Sequence, residues 1–284
     1  MGSVHLALLA AMWYDNTAGQ PANVRVSPRG LPEPWDMCCI FASTSPFGLS
    51  SACGAAIQKR SLRMRKINWV KRHIPKYVLM PVLGCLAMNM LVYYGSRLFN
   101  LSMASYDLSL PLDHRIPLIP PFIVIYVLSF VYWWLSYVTI GSESPRMCGI
   151  LFGEMIAKVI CLAFFLLLPT SMERTEVTGN DIFSWMVRFI YFSDVPNNLF
   201  PSIHCMESHL CWRGLAKCSR VPKWVKIAAV VLSLTIYAST LFVRQHLLVD
   251  IPAGILVGEI GLWISRRLRL GERYAKRWEA PHEA

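Results

Sequence analysis

The sequence predicts an all-α integral membrane bundle of about six transmembrane helices, on three observations. Hydrophobic residues make up 55% of the 284 residues and charged ones only 16%. The mean hydropathy is +0.41, too apolar for a water-soluble domain of this length. The apolar residues gather in runs at about 77–96, 119–140, 149–169, 203–216, 224–243 and 249–266, most of them near the ~20 residues that cross a hydrocarbon core as helix. The basic residues fall in short clusters beside those runs, as membrane topology requires. With a net charge of +11 placed this way, and no basic stripe interleaved with aromatics, nucleic acid is not an expected partner.

Residues 1–63 carry Pro, Gly, Ser and Cys without a clear period and read as a poorly structured leader or an upstream extension. "VHLALLAAMW" is a poor signal peptide, since no positive charge precedes it and no small-residue cleavage site follows. From Met64, "MRKINWVKRHIPKYVLMPVLGCLAMNMLVYYG" reads as a short basic start running into the first span, which points to Met64 as the natural start. Residues 64–268 then form the membrane domain, with 203–216 the shortest and weakest span, and 269–284 a basic cytoplasmic tail.

Lys59 to Lys76 precede the first span, Arg213 to Lys226 lie between the fourth and fifth, and Arg266 to Arg277 follow the sixth. By the positive-inside rule these three regions and both termini face the cytoplasm, and loops 97–118, 170–202 and 243–249 face outward. The short basic start and the lack of a sorting signal fit a bacterial cell membrane. The nine cysteines show no CxxC pair and no zinc-like spacing, so they read as small buried hydrophobes. The "VYWWLSY" stretch at 131–137 reads as an interface belt or as helix packing. Gly254 and Gly258 form a step for close helix packing. Glu154 and Lys158, one turn apart in the third span, read as a mutual pair outside any site.

The chemistry collects in the outward loops. His204 lies in "FPSIHC", His246 in "STLFVRQHLLVDIPAG" and Arg174 in "PTSMERTEV". Ionisable groups at membrane depth are costly and usually functional. His246 and Asp250 are four residues apart, so on a helix the carboxylate would take the Nδ1 proton and leave Nε2 free as nucleophile or base. Pro252 favours a first helical turn, which would start the helix after His246.

"PSIH" at 201–204 resembles the Pro-Ser-Gly-His motif of the type-2 phosphatidate phosphatase superfamily, the integral-membrane lipid phosphate phosphatases. Ser239, His246 and Asp250 resemble its Ser-Arg-x5-His-x3-Asp motif. The likeness covers about residues 70–268. It implies removal of phosphate from a lipid phosphate or lipid pyrophosphate through a phosphohistidine at the outer face. His246 would be the nucleophile, Asp250 its orienter and His204 the general acid. Ser202, Ser239, Arg174 and Arg244 would bind phosphate. No metal or cofactor is implied, and the partners are the lipid phosphate substrate and the bilayer.

The motifs depart from the family at informative places. Ile203 stands at the glycine of the first motif, Thr240 at the arginine after Ser239, Thr175 at the proline after Arg174, and Leu167 at the expected lysine. Two phosphate-binding cations are therefore missing from a reaction that depends on positive charge around the phosphoryl oxygens. Arg244 is placed to restore one, although a spacing of two does not set it on the His246 face of a regular helix. The divergent set also resembles the superfamily's sphingolipid-synthesising transferases, which move an inositol-phosphoryl or phosphocholine headgroup onto an alcohol. A bundle that binds lipid without turnover is the non-enzymatic alternative. Haloperoxidases share the phosphate-like pocket but are soluble, which the apolar spans argue against.

Overall fold

The computed structural model describes residues 74–100, 105–194 and 196–279; the leader at 1–63 and the Met64 start lie outside the described residues. Each of the six apolar runs forms a helix: α1 (Lys76–Asn100), α2 (Ile123–Glu143), α3 (Cys148–Leu167), α5 (Ile203–Lys217), α6 (Lys223–Phe242) and α7 (Asp250–Arg267). Two further helices lie between and after them, α4 (Ile182–Ser193) and α8 (Leu270–Glu279). Two-residue strands β1 (Tyr106–Asp107) and β2 (Thr170–Ser171) pair in parallel.

Local chemistry sets the helix starts. Pro120 and Pro121 open a 3-10 turn into α2, Pro145 opens one into α3, and Pro222 sits immediately before α6. Proline lacks an N–H where a helix has no acceptor for one. Asp181 caps α4, its carboxylate accepting the Phe183 and Ser184 N–H groups at 2.9 and 3.1 Å. The Ser202 hydroxyl caps α5 by accepting from Cys205 N at 3.3 Å.

Among the described residues four helical stretches are long and apolar enough to cross a membrane: Lys76–Ser96, Pro120–Glu143, Pro145–Leu167 and Lys223–Phe242. The chain thus has the character of a helical membrane bundle. Helix α5, at 15 residues, spans only about 22 Å. Helix α7 carries Asp250, Glu259, Arg266 and Arg267. Its mid-helix charge is met from α5, where His209 Nε2 lies 2.8 Å and Arg213 Nε 2.7 Å from Glu259 Oε1.

Helix α3 packs against α1 and α7, and α5 lies among α2, α6 and α7. Two glycines of α7 let α5 approach: a Cβ on Gly254 would collide with the Ser202 carbonyl, and one on Gly258 would press on Met206 and Leu210. The close-packing step read at these positions is therefore met by α5.

The loops gather at opposite ends of the bundle. At one end β1 meets β2, Ser171 bridges Asn197, the buried Thr170 hydroxyl accepts from Leu199 N and Phe200 N, and Ser202 N donates to Asp250 O at 3.2 Å. At the other end Glu143 receives Ser219 N and Tyr274 OH donates to Tyr77 O at 2.6 Å. The basic tail is no loose extension there, because α8 buries Ala275 and packs on α3. Lys217, Lys223, Arg266 and Arg267 lie at this second end, and both motif histidines at the first.

The cysteines at 85, 148, 161, 205, 211 and 218 are buried free thiols, in keeping with the small-hydrophobe reading. In the aromatic stretch Trp133 is buried, and its Nε1–H donates to Ser208 Oγ at 2.9 Å. That residue packs helices together rather than belting the surface.

Candidate active site

The site is built where the first turn of α5, the turn after α6 and the start of α7 converge. Helix α6 ends at Phe242, and the chain reverses with Arg244 at φ 51. The reversal is secured by Gln245 N and His246 N, both donating to Thr240 O at 2.9 and 3.2 Å. Helix α7 begins at Asp250, with Pro252 in its first turn, so His246 lies before the helix. The pairing with Asp250 nevertheless forms, through the turn: His246 Nδ1 is 3.1 Å from Asp250 Oδ2, which also accepts Leu247 N at 2.8 Å. A carboxylate oxygen only accepts when ionised, so Nδ1 is the donor in this contact and Nε2 is left clear of it. Asp250 is fully buried while the His246 side chain keeps 9% exposure; its base faces outward from a closed support.

His204 stands one residue into α5. Its ring stacks on Tyr126 at 4.3 Å and 19°, and takes Phe130 and Trp133 edge-on at 5.6 and 5.1 Å. This aromatic cage, drawn from one face of α2, fixes the ring, and the centroids of His204 and His246 are 5.8 Å apart. His204 Nε2 is enclosed without a hydrogen-bond partner.

Two arginines are held at the same end of the bundle. Arg174 Nη1 donates to Tyr191 O and Asp194 O at 3.1 and 2.5 Å, and its Nη2 to Gln245 Oε1 at 3.0 Å. Its guanidinium lies 4.4 Å over the Tyr191 ring, and Tyr191 OH donates to Val243 O at 3.1 Å. Burial pushes the Arg174 guanidinium down from its ordinary value, opposed by the Asp194 carboxylate; arginine remains charged under such pressure. Arg244 Nη1 donates to Asp113 O at 2.5 Å. Asp113 is itself buried and holds Leu110 N and Leu248 N, each at 2.8 Å. It thereby ties the 108–115 loop to the His246 turn.

After these contacts, four buried nitrogens around the histidines keep no partner among the described residues: Arg174 Nε, Arg244 Nε, Gln245 Nε2 and His204 Nε2. Arginine and amide nitrogens are donors only, and leaving buried donors unmade is expensive. Asp250 Oδ1 is an unpartnered acceptor in the same region, so the donors without partners outnumber it, and such an excess of donors suits an anion with several oxygens.

The structure brings His204, His246, Asp250, Arg174, Arg244 and Ser202 to one end of the bundle. Ser239 is buried in the last turns of α6, and its hydroxyl donates to Ile236 O at 2.7 Å within that helix. Ser202 is buried at that end of the bundle, its Oγ accepting from Cys205 N as the cap. Gln245, Asp113 and Tyr126 escaped the sequence reading. Gln245 alone carried a local signal, lying between Arg244 and His246.

Comparison with protein-family models, with curated proteins and with solved structures gives no match for this chain.

Proposed function

We propose that the chain is a six-span membrane phosphatase that removes phosphate from a lipid phosphate or lipid pyrophosphate. Helices α5 and α7 complete the bundle as short, polar-ended spans, with the basic ends cytoplasmic and the histidine end facing outward in a bacterial cell membrane. The observation that carries the reading is the set of four unpaired N–H or imidazole nitrogens around an oriented His246–Asp250 pair.

His246 Nε2 attacks phosphorus and forms an N–P bond while the bond from phosphorus to the lipid oxygen breaks. Asp250, holding the Nδ1 proton, stabilises the positive charge that the ring acquires. His204 acts as the general acid, its Nε2–H passing to the leaving oxygen. Water then attacks the phosphohistidine, giving its proton to His204 and restoring both rings. Arg174 and Arg244 offer Nε–H, and Gln245 and Ser202 neutral donors, to the phosphoryl oxygens. Arg174 stands at the arginine of the family's remaining motif, and Arg244 supplies one of the two cations that the departures from the motifs remove.

The test is phosphate release by the purified protein in detergent with excess EDTA, offered phosphatidate and an isoprenyl pyrophosphate, alongside mass mapping of acid-sensitive phosphate in rapidly quenched samples. Release together with a phosphoryl adduct on His246 supports the mechanism. Release without an adduct removes the covalent step, and a new phosphodiester lipid formed with diacylglycerol or ceramide in place of free phosphate moves the chain to the transferases.

A further inference from the structure

Helix α4 uses only half of its apolar surface within the protein. Ser184, Val187 and Ile190 are buried, packed on a cluster containing Ile123, Tyr126 and Val243. The opposite side carries Ile182, Trp185, Phe189 and Phe192, exposed by 62, 57, 48 and 87%. These four fall at intervals of three, four and three residues, one stripe of an α-helix. Trp185 and Phe189 stack at 5.8 Å and 15° along it.

The stripe carries no charge. The single ionisable side chain of α4 besides Tyr191 is Arg188, and it folds back to donate to Val177 O and Gly179 O at 3.0 and 2.6 Å. At 12 residues the helix spans about 18 Å, too short to cross a hydrocarbon core. Its inner face rests on the Pro120–Phe122 turn and the first turns of α2, where a span-length helix begins. That span has its own exposed stripe at Leu128, Val131 and Leu135. The apolar side of α4 therefore lies beside the end of α2 at which that span, with its exposed apolar stripe, begins.

We infer that α4 lies in the plane of the bilayer on the histidine side, with Ile182, Trp185, Phe189 and Phe192 sunk into the boundary between headgroups and acyl chains. Tryptophan and phenylalanine on a charge-free stripe beside the start of a span suit that boundary. The bilayer is the occupant this position favours, because the span-length helix on which α4 rests carries its own exposed apolar stripe. The position also has a consequence that rests on the proposed phosphatase reading. The carbonyls of Tyr191 and Asp194, at the end of α4, hold Arg174, so the same helix that meets the lipid also presents a phosphate-binding cation.

The test that stands without activity is quenching of Trp185 in proteoliposomes of phosphatidylcholine, taken as the difference between wild type and Trp185→Phe. Phosphatidylcholine brominated near the headgroup quenches this difference signal severalfold more than lipid brominated near the chain ends, and aqueous iodide quenches it little. Strong iodide quenching, or shielding from both bromine and iodide by a second copy or another protein, overturns the inference. The dependent part is tested with Phe192→Ser and Phe189→Ser together. The KM for substrate in bilayers rises roughly tenfold, with hydrolysis of a short-chain, water-soluble lipid phosphate unchanged. An equal loss on both substrates removes the seating role while leaving the quenching result intact, and a wild type inactive on both would fault the phosphatase reading alone.

Discussion

His204 and Glu207 are three residues apart on α5, less than one helical turn, yet they belong to polar regions of opposite character. At the end of the helix, the histidine region leaves four nitrogens unpaired, Arg174 Nε, Arg244 Nε, Gln245 Nε2 and His204 Nε2, against one oxygen, Asp250 Oδ1. One turn inward, Lys158 contacts Glu154 and lies 2.6 Å from Glu207 Oε1, and its Nζ donates to Cys85 O at 3.1 Å. Glu154 also receives Tyr137 OH at 3.4 Å, and the oxygens left over, Oε2 of both glutamates, are acceptors. Phe130 and Trp133 form the wall between the two regions, touching the His204 ring on one side and lining a small cavity with Lys158 and Glu207 on the other. Its 10 Å³ is room for about one water. The difference teaches which region would receive an anion: buried positive charge is committed to carboxylates in the inner region and still has N–H groups to give in the outer one.

The largest effect expected from this contrast is on turnover. His246→Ala lowers phosphate release by about four orders of magnitude or more, whereas Glu207→Gln leaves kcat within about threefold, both read on protein of unchanged helicity. Comparable losses in the two variants would dissolve the distinction between the regions.

Next in size is stability. Lys158→Met strands two buried carboxylates and costs about 3–5 kcal/mol, read as a lower melting temperature in detergent. Combining it with Glu154→Gln and Glu207→Gln recovers most of that loss, because neutral amides need no cation. Failure of the triple variant to recover would mean that the ionic group is held for something other than charge balance.

Arg174→Gln removes one charged donor from the outer region and lowers kcat about 100-fold. Gln245→Ala removes a neutral donor and costs about tenfold. Equal losses would mean that Gln245 acts chiefly by holding Arg174, through its 3.0 Å contact to Nη2, and the two roles separate if the double variant is no worse than Arg174→Gln alone.

The smallest effect lies outside both regions. The Asp181 carboxylate is held below its ordinary range by the Ser184 hydroxyl and backbone N–H. A lowered folded-state value means that the cap stabilises α4 above the unfolded carboxylate value of about pH 4. That contribution fades as pH falls through the lowered one. Melting temperatures of wild type and Asp181→Ala against pH should converge at the acid end.

Much of the bundle was legible in the chain because long apolar runs carry their own length scale. The six helices fall within a few residues of the runs that announce them. Helix α4 was passed over because "IFSWMVRFIYFS" is only 12 residues long and sits in a stretch read as an outward loop; its period of 3.6 is visible only when span length is not the criterion. The His246–Asp250 pair was legible from a spacing of four, but the contact runs through a turn before α7 rather than along a helix face, as Pro252 hinted. Glu154 with Lys158 was legible for the same local reason, and Glu207 was not, since it arrives from another helix. Asp113 to Leu248 and Tyr126 to His204 are likewise products of folding. They join positions far apart in sequence that no periodicity connects.

Gly254 carries one more consequence. Where α7 passes Ser202 the two backbones touch with no side chain between them, and the histidines stand on either side of that contact, His204 two residues beyond Ser202 and His246 eight before Gly254. The gap between the rings is thus gauged by a missing methyl group. Side chains around the two rings can change in size and polarity without altering that gauge. A single carbon added at 254 would shift it, which makes the least functional-looking residue of the region the one that sets the working distance of its chemistry.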